Sequence, residues 1–442
     1  MESVSQVETA LKTIMEEHAQ VLARETGCIQ RERKFTGADL LQTLVFGWLS
    51  HPDASLEMLA SMAATREVFV SDTAIHERFS KPCAQFLHAV LEEMTSVMVH
   101  ADQDVPLELL GRFSTVVLED SSTVSLPKEL QDCWQGCGGC AGRGLAAVKL
   151  HVRWDLNQGC LWGPSLTHGR TSDRSSPFVE QELPAQSLMI QDLGYFAISR
   201  IKERRAANSF TLTRAPAKTA YFNEEGKRFS IKEVLPQRIG QTKEMHVLVG
   251  VNYQYPMRLL MLRVPKEIAE KRRKDLQAEA IRRQEPVCQH TLELADWTIL
   301  LTDASAKRLH FEDALVLLRE RWQMELLYKL WKQYGQIDEW RTAHGWRALC
   351  ELYAKLIGMV LQHWLIVLFA WQDEQRSLVK LAQVVRDTGW TLMEALAGHR
   401  SLRSALQAIE RRMASGSHMN KRKKHPNSAQ LLQHGSSWAL SP

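Results

Sequence analysis

The chain has 442 residues, 45% of them apolar and 24% charged, and carries a formal net charge of only +4. That length admits two or three domains with a sizeable core, and that composition is ordinary for a globular protein. So small a net charge does not by itself call for a nucleic-acid partner, but its distribution is uneven. Arg200 to Arg214 holds five cations against one acid, Glu203. Lys271 to Lys274 reads KRRK and is followed by Arg282 and Arg283, and Lys421 to Lys424 reads KRKK. Such blocks are either the footprint of a polyanion or plain solvated faces.

The opening residues MESVSQVETALK have no apolar stretch behind a basic start, so no secretory signal is expected in them. The longest apolar stretch, Ile357 to Trp371, is interrupted by Gln362 and His363 and is short for a membrane span, so it predicts a buried helix. Eight cysteines without an export signal predict reduced thiols in a cytosol.

Residues 1–108 read as helical. A helix opens at Gly37-Ala38-Asp39 with apolar residues at Leu40, Leu41, Leu44, Val45 and Leu49, and His51-Pro52-Asp53 breaks it. Shorter helices follow over Leu56 to Met62 and Ala74 to Phe79, the latter behind an N-cap-like Ser71-Asp72-Thr73, and a longer one runs from Pro82 to Met98. This succession suits a DNA-binding domain and equally a small helical bundle. From residue 110 the character changes. Phe113 to Leu118 is a β-rich run ending in Glu119-Asp120; Ala146 to Asp155 and Gly159 to His168 read as two strands; Pro177 to Leu183 as a short helix; Leu188 to Ile190 as a strand leading into Asp192. Four more β-rich runs, Phe210 to Leu212, His246 to Tyr253, Met257 to Val264 and Trp297 to Leu301, are interrupted by the basic segment 265–285. From Glu312 to Met413 the pattern is helical, and the polar last 29 residues are expected to be poorly ordered.

Two aspartates at strand ends, Asp120 and Asp192, and an acid inside a helix, Glu325, are the side chains that a two-metal phosphoryl-transfer site needs, although among 51 acids an acid after a strand is more often a solvated turn residue. Carboxylates flank two Mg²⁺ ions about 3.5–4 Å apart, one activating the attacking oxygen and one stabilising the leaving oxygen. In ALVLLRERWQMELLYKLWK, Arg321, Glu325 and Lys332 stand at i, i+4 and i+11, along one stripe of a continuous helix. A metal-holding glutamate between cations that grip flanking phosphates would look like this, and so would a surface Arg–Glu pair.

The signature Arg321-Glu325-Lys332 resembles the Y-(2)-R-(3)-E-(6)-K motif of the IS4 family of bacterial insertion-sequence transposases. VVLEDSSTVSLP, QDLGYF and DWTILLTD resemble the surroundings of that family's first aspartate, second aspartate and the strand before its glutamate, and NKRKKHPNSAQLL resembles its tail. The motif's tyrosine position is Leu318 here. The resemblance implies a mixed α/β protein whose RNase H-like catalytic core is interrupted by a β-rich insertion, with a helical N-terminal domain and C-terminal helices. It implies a DDE triad of Asp120, Asp192 and Glu325, and the 132 residues between the last two leave room for the insertion. The expected organisation is residues 1–108 as a DNA-end-binding domain, 109–207 as the first part of the core, 208–310 as the insertion, 311–412 as the catalytic helix with C-terminal helices, and 413–442 as a basic tail. The resemblance also implies cut-and-paste transposition through a hairpin, with two Mg²⁺ ions for which Mn²⁺ can substitute. Its partners would be double-stranded DNA, both terminal inverted repeats and target, and a second copy of the chain in the DNA complex. The location would be the bacterial cytoplasm, on the nucleoid and away from membrane. Hairpin-forming members flip a base onto a tryptophan, and Trp297 stands at the matching place; a core tryptophan on a strand is the other reading. Rival functions are a decayed end-binding protein and a metal-dependent nuclease that never joins strands.

Cys133, Cys137, Cys140 and Cys160 have some of the spacing of a zinc site, set against ordinary loop residues. GCGGCAGRG lacks the GK[ST] ending of a phosphate loop and is excluded as one.

Overall fold

The structure, a computed structural model, describes residues 2–31, 34–138, 144–283, 286, 289–420, 430 and 432. The expected tail motif KRKK and Cys140 lie outside the described residues. In chain order the helices are α1 (Glu2–Lys12), α2 (Ala19–Glu25), α3 (Gly37–Ser50), α4 (Leu56–Ala64), α5 (Asp72–His76), α6 (Lys81–Ser96), α7 (Ile198–Ala206) and α8 (Ile231–Val234). They continue as α9 (Lys266–Arg283), α10 (Gln289–Glu293), α11 (Phe311–Glu320), α12 (Trp322–Lys329), α13 (Gly345–Ala370), α14 (Leu378–Leu396) and α15 (Leu402–Ala414). The strands are β1 (Val116–Leu126), β2 (Ala146–Asp155), β3 (Leu161–His168), β4 (Leu188–Gln191) and β5 (Phe210–Arg214). After them come β6 (Tyr221–Phe222), β7 (Arg228–Phe229), β8 (Thr242–Val249), β9 (Tyr255–Arg263) and β10 (Trp297–Thr302).

The chain divides into two compact units. The first comprises residues 1–106, 120–172 and 323–420, and the second 107–119 and 173–322. In the first, α13 is the central helix. It packs on α3, α6 and α14, and almost every side chain from Ala348 to Val367 is buried. Its apolar residues run all the way round, the composition of a helix enclosed by others. It is long and apolar enough to cross a membrane, but 89% of its most apolar window lies inside the protein. Helix α3 begins where Thr36 and Asp39 cap each other's backbone N–H groups, a box that stabilises a helix start by about 1 kcal/mol. Gly37 is required there, since a Cβ would fall 2.2 Å from the Ala19 carbonyl oxygen. The strand order in this unit is β3-β2-β1, with β2 and β3 antiparallel.

In the second unit the strand order is β1-β4-β5-β10-β9-β8-β6-β7. β1, β4 and β5 are parallel, and the later strands pair antiparallel. Helix α7 is the crossover from β4 to β5 and sets Ile201 into a core with Tyr221, Val249, Met257, Leu259 and Leu301. Arg258 is buried on β9, held by the Glu244 carboxylate at 2.7 Å and by the carbonyls of Ala304 and Leu309. The fold is therefore mixed α/β, with parallel strands of an RNase H-like core and a largely antiparallel β-rich insertion before the helix that carries Glu325.

Several expectations are corrected. β1 does not end at Leu118 but continues through Asp120 to Leu126; only Val116 to Glu119 pair with β4, and the alternating tail with buried Val124 and Leu126 is taken up on the β2 side. Residues 177–183 form turn and coil rather than a helix. Pro184 disfavours helical backbone at Leu183, and the remaining turn and a half is too short to nucleate. The chain expected to be helical from Glu312 to Met413 is so, as α11 and α12, a π turn over Leu330–Tyr334, and then α13, α14 and α15. The start of the polar tail is tied down rather than loose: Ser377 N–H donates to the Ser417 carbonyl at 2.7 Å and Met419 N–H to Gln375 at 2.6 Å.

Candidate active site

Asp120 lies within β1, just past the part of it that pairs with β4, and Asp192 follows the end of β4. In the second unit the parallel register runs Val116↔Leu188 to Glu119↔Gln191, and the next residue on each chain is an aspartate. Asp120 is half-buried, and one carboxylate oxygen accepts the N–H of Ser121 at 2.8 Å. Asp192 is also half-buried and heads the tight turn Leu193–Tyr195, whose Tyr195 N–H donates to its carbonyl at 3.1 Å. The buried Gln191 side chain fixes this turn, donating to the Tyr195 carbonyl at 3.1 Å and accepting from Arg204 at 2.7 Å.

Glu325 is exposed on α12, where Met324, Leu327 and Tyr328 face the core of the first unit. Tyr328, one turn after it, donates its hydroxyl to the Asp120 carbonyl at 2.9 Å and lies 3.2 Å from the Leu150 carbonyl. Composition and spacing gave no reason to single Tyr328 out; its signal is an aromatic with a polar tip on the buried face at Glu325 plus three. Lys332 lies in the π turn and donates to the Thr123 carbonyl at 3.0 Å, so it too meets the far half of β1. Burial lowers the pKa of its ammonium, with Asp338 opposing. Single π turns inside α-helices are frequent at functional sites. Arg321 sits between α11 and α12 with helical backbone angles. Asp120, Glu325 and Lys332 belong to the first unit, and Asp192, Arg321 and Trp297 to the second.

Trp297 is the first residue of β10, opposite Arg263 of β9. It is half-buried against the insertion's core, its indole N–H donates to the Pro236 carbonyl at 2.9 Å, and the Arg263 guanidinium lies 5.1 Å from its ring centroid. The basic segment beside it divides its labour. Arg272 turns inward to the carbonyls of Ala295 and Trp297 and to the Thr298 hydroxyl, and Arg273 pairs with Asp296, while Lys271 and Lys274 are exposed. Burial, then repulsion from Arg214 and Arg319, pulls the Arg272 guanidinium down to about 10. Arg214 and Arg319 act on Arg272 through space, a relation that sequence spacing could not reveal because the three lie on β5, α9 and α11.

Cys133 and Cys137 are exposed free thiols and Cys160 is buried. Among the described residues no three His, Cys, Asp or Glu side chains form a group that could hold a metal ion, which leaves these cysteines without a zinc site there. His151 and His168 are strand residues with neutral partners, the Thr167 hydroxyl and the Gln135 N–H.

Residues 111–361, more than half of the chain, match the family described as Transposase DDE domain. The chain is 25% identical over 377 residues to the transposase for insertion sequence element IS231F of Bacillus thuringiensis subsp. israelensis, covering 80% of this chain and 78% of that protein. It is 22% identical over 364 residues to the transposase for IS1151 of Clostridium perfringens, covering 77% and 76%. It is 23% identical over 351 residues to the transposase for IS421 of Escherichia coli, covering 77% and 88%. Domains of this family generally work with divalent metal ions. Asp120, Asp192 and Glu325 would each offer such an ion a hard carboxylate oxygen, the donor type it prefers. With the match spanning the strands that carry both aspartates and the helix that carries the glutamate, this chain belongs to the Transposase DDE domain family, enzymes that cleave DNA and transfer its strands.

Proposed function

We propose that this transposase moves an insertion sequence by cut-and-paste transposition, with Asp120, Asp192 and Glu325 holding two Mg²⁺ ions that Mn²⁺ can replace. The observation that carries this reading is the register of β1 and β4, whose parallel pairing runs to Glu119↔Gln191 and is followed at once on each segment by an aspartate. The ions would supply a lowered pKa for the attacking water and charge stabilisation at the phosphate under attack. The three carboxylates hold and orient them. Arg321 and Lys332 grip the phosphates that flank the scissile one; Lys332 spends one N–H on Thr123 and has two more to offer. One strand is cut at the element's end, and the freed 3′-hydroxyl attacks the opposite strand to give a hairpin. The hairpin is reopened and the 3′-hydroxyl is joined to target DNA. Trp297 receives the base that leaves the stack at the hairpin, with Arg263 moving off its face.

Residues 1–108 bind the terminal inverted repeats, and two copies of the chain pair on DNA in the bacterial cytoplasm, on the nucleoid. The relatives named above, which carry insertion-sequence names and align over three quarters or more of this chain, support that scope. The test is a time course on a duplex ending in the element's labelled terminus, incubated with Mg²⁺ and a target plasmid and run on a denaturing gel. Nicked, hairpin and joined products appearing in that order are expected. Nicking without joining would leave a nuclease, and joining without a hairpin would remove that intermediate.

A further inference from the structure

The basic stretch Arg200 to Arg214 is accounted for only in part by internal partners. Arg200 pairs with Glu203, and Arg204 reaches Gln191. Arg205 does neither: its guanidinium lies 4.8 Å from the centroid of the Phe210 ring. The same ring carries a second guanidinium, that of Arg308, at 5.0 Å. Arg205 is exposed, Arg308 is half-buried, and the neighbouring Lys307 is exposed. None of the three is in an ion pair among the described residues. The acids nearby are already engaged. Asp313 is taken by Arg112 and His310, Glu108 by Arg112, and the buried Asp303 carboxylate accepts the Thr211 N–H and acts on Arg205 only through space.

Two like charges set on one neutral ring repel each other, and an anion bound beside both would relieve that repulsion. A stacked guanidinium keeps its planar donor edge, which suits phosphate. The position adds a second argument. Phe210 opens β5 and pairs in register with Leu188, which opens β4, while Asp192 follows the other end of β4. The ring therefore lies about 13 Å back along the strands from that aspartate, four residues at about 3.3 Å each. Arg205 and Arg308 are thus at the opposite end of the parallel strands from Asp192, Arg205 in the last turn of α7 and Arg308 on the β10–α11 connection.

We infer that Arg205 and Arg308, stacked on Phe210, form with Lys307 a second contact for the phosphate backbone of duplex DNA, independent of sequence and separate from the segment being cut. The DNA contact rests on the family's action on DNA, and its separation from the cut segment rests on the placement of Asp192 in the proposed site. Its role is to hold target or flanking duplex while the scissile segment is processed elsewhere.

The experiment measures binding of the full-length chain to a fluorescent random-sequence duplex over a range of salt concentrations, in EDTA so that no cleavage occurs. The logarithm of the binding constant falls linearly with the logarithm of salt, by about 0.9 for each phosphate neutralised. The double variant Arg205→Gln, Arg308→Gln is expected to lose about 1.8 from that slope, and Arg205→Lys, Arg308→Lys to keep it. An unchanged slope in a folded double variant overturns the inference and leaves the patch for an acidic protein or for packing alone. Should the double variant not fold, Lys307→Gln, an exposed side chain, is read in its place. A loss of about 0.9 supports the contact and an unchanged slope rejects it. Cleavage by the three acid variants is scored separately, so a wrong triad would not move this result.

Discussion

The hydroxyl of Tyr328 donates to the carbonyl oxygen of Asp120 at 2.9 Å, joining the helix that carries Glu325 to the backbone of the strand that carries the first aspartate. Tyr328 is buried and follows Glu325 by one helical turn, so the bond fixes how far α12 stands from β1. Tyr328→Phe keeps the ring and removes the donor. Stability should fall by about 1–2 kcal/mol, the cost of leaving a buried carbonyl short of a partner. Strand cleavage should slow roughly five- to tenfold as the two acids lose their mutual register. Denaturant unfolding and a cleavage time course measure both, and no change in either would make the bond incidental.

Trp297 is held from three sides, by the Pro236 carbonyl, the Arg263 guanidinium and the insertion's core. Trp297→Phe removes the N–H bond and keeps an aromatic face; Trp297→Ala removes both. On a pre-nicked labelled end, hairpin formation should survive Trp297→Phe and slow roughly 5–150-fold in Trp297→Ala, the rate equivalent of a stacking energy of about 1–3 kcal/mol. First-strand nicking should be spared in both. Equal loss of nicking and hairpin formation would make Trp297 a folding residue.

Asp303 supplies a pH signature. Burial raises its pKa from 3.8 to about 6, against the pull of the Thr211 N–H and of Arg205 and Arg204. The folded state therefore binds its proton more tightly than the unfolded chain. This carboxyl stabilises the fold below about pH 4, and that contribution is lost as pH rises through about 6. His363, pushed down to about 4 by burial, acts oppositely in the same window, so the difference between variants is the useful quantity. Asp303→Asn should be more stable than the parent at pH 7.5, by on the order of 2 kcal/mol in denaturant unfolding, and gain little at pH 4. An equal shift at both pH values would mean that charge is not the cause.

Gly159 turns the chain between β2 and β3 with φ +77°, and a Cβ there would fall 2.4 Å from the Trp371 ring. Its carbonyl also accepts the Nε2–H of His363 at 2.7 Å. Gly159→Ala combines left-handed strain with overpacking and should cost roughly 2–5 kcal/mol. Calorimetry checks this, and a loss below about 1 kcal/mol would mean that the Trp371 ring yields freely.

The parts of this fold that read correctly from sequence are those set by local pattern. The apolar period after Thr36 gave α3, and the alternating run from Ala146 to Asp155 gave β2 to the residue. Asp192 was visible because a short apolar strand stops at it. Asp120 was visible as a position, but the strand passes through it, because the partner that extends β1 is β2, about 25 residues further on. Local pattern also could not show that Lys332 is held by Thr123 across 209 positions, that Arg272 turns its charge inward, or that Arg205 and Arg308 share one ring. Each of these depends on pairing between distant segments, which a reading of period and spacing cannot supply. The π turn after Lys329 escaped for a different reason: it shifts helical phase without any Gly or Pro to mark it.

The central claim is that Asp120, Asp192 and Glu325 together do the cutting. It is tested most directly by comparing Asp120→Asn, Asp192→Asn and Glu325→Gln with the parent on a labelled terminal-repeat duplex, scoring Mg²⁺-dependent nicking and, in parallel, binding of the same duplex. Each change keeps the shape of the side chain and removes one anionic ligand. The account predicts that nicking falls by at least about a thousandfold in every variant, a barrier rise of roughly 4 kcal/mol, while the dissociation constant stays within about threefold. Nicking near the parent rate in any one of the three, with the fold intact, would contradict the account and remove that residue from the site.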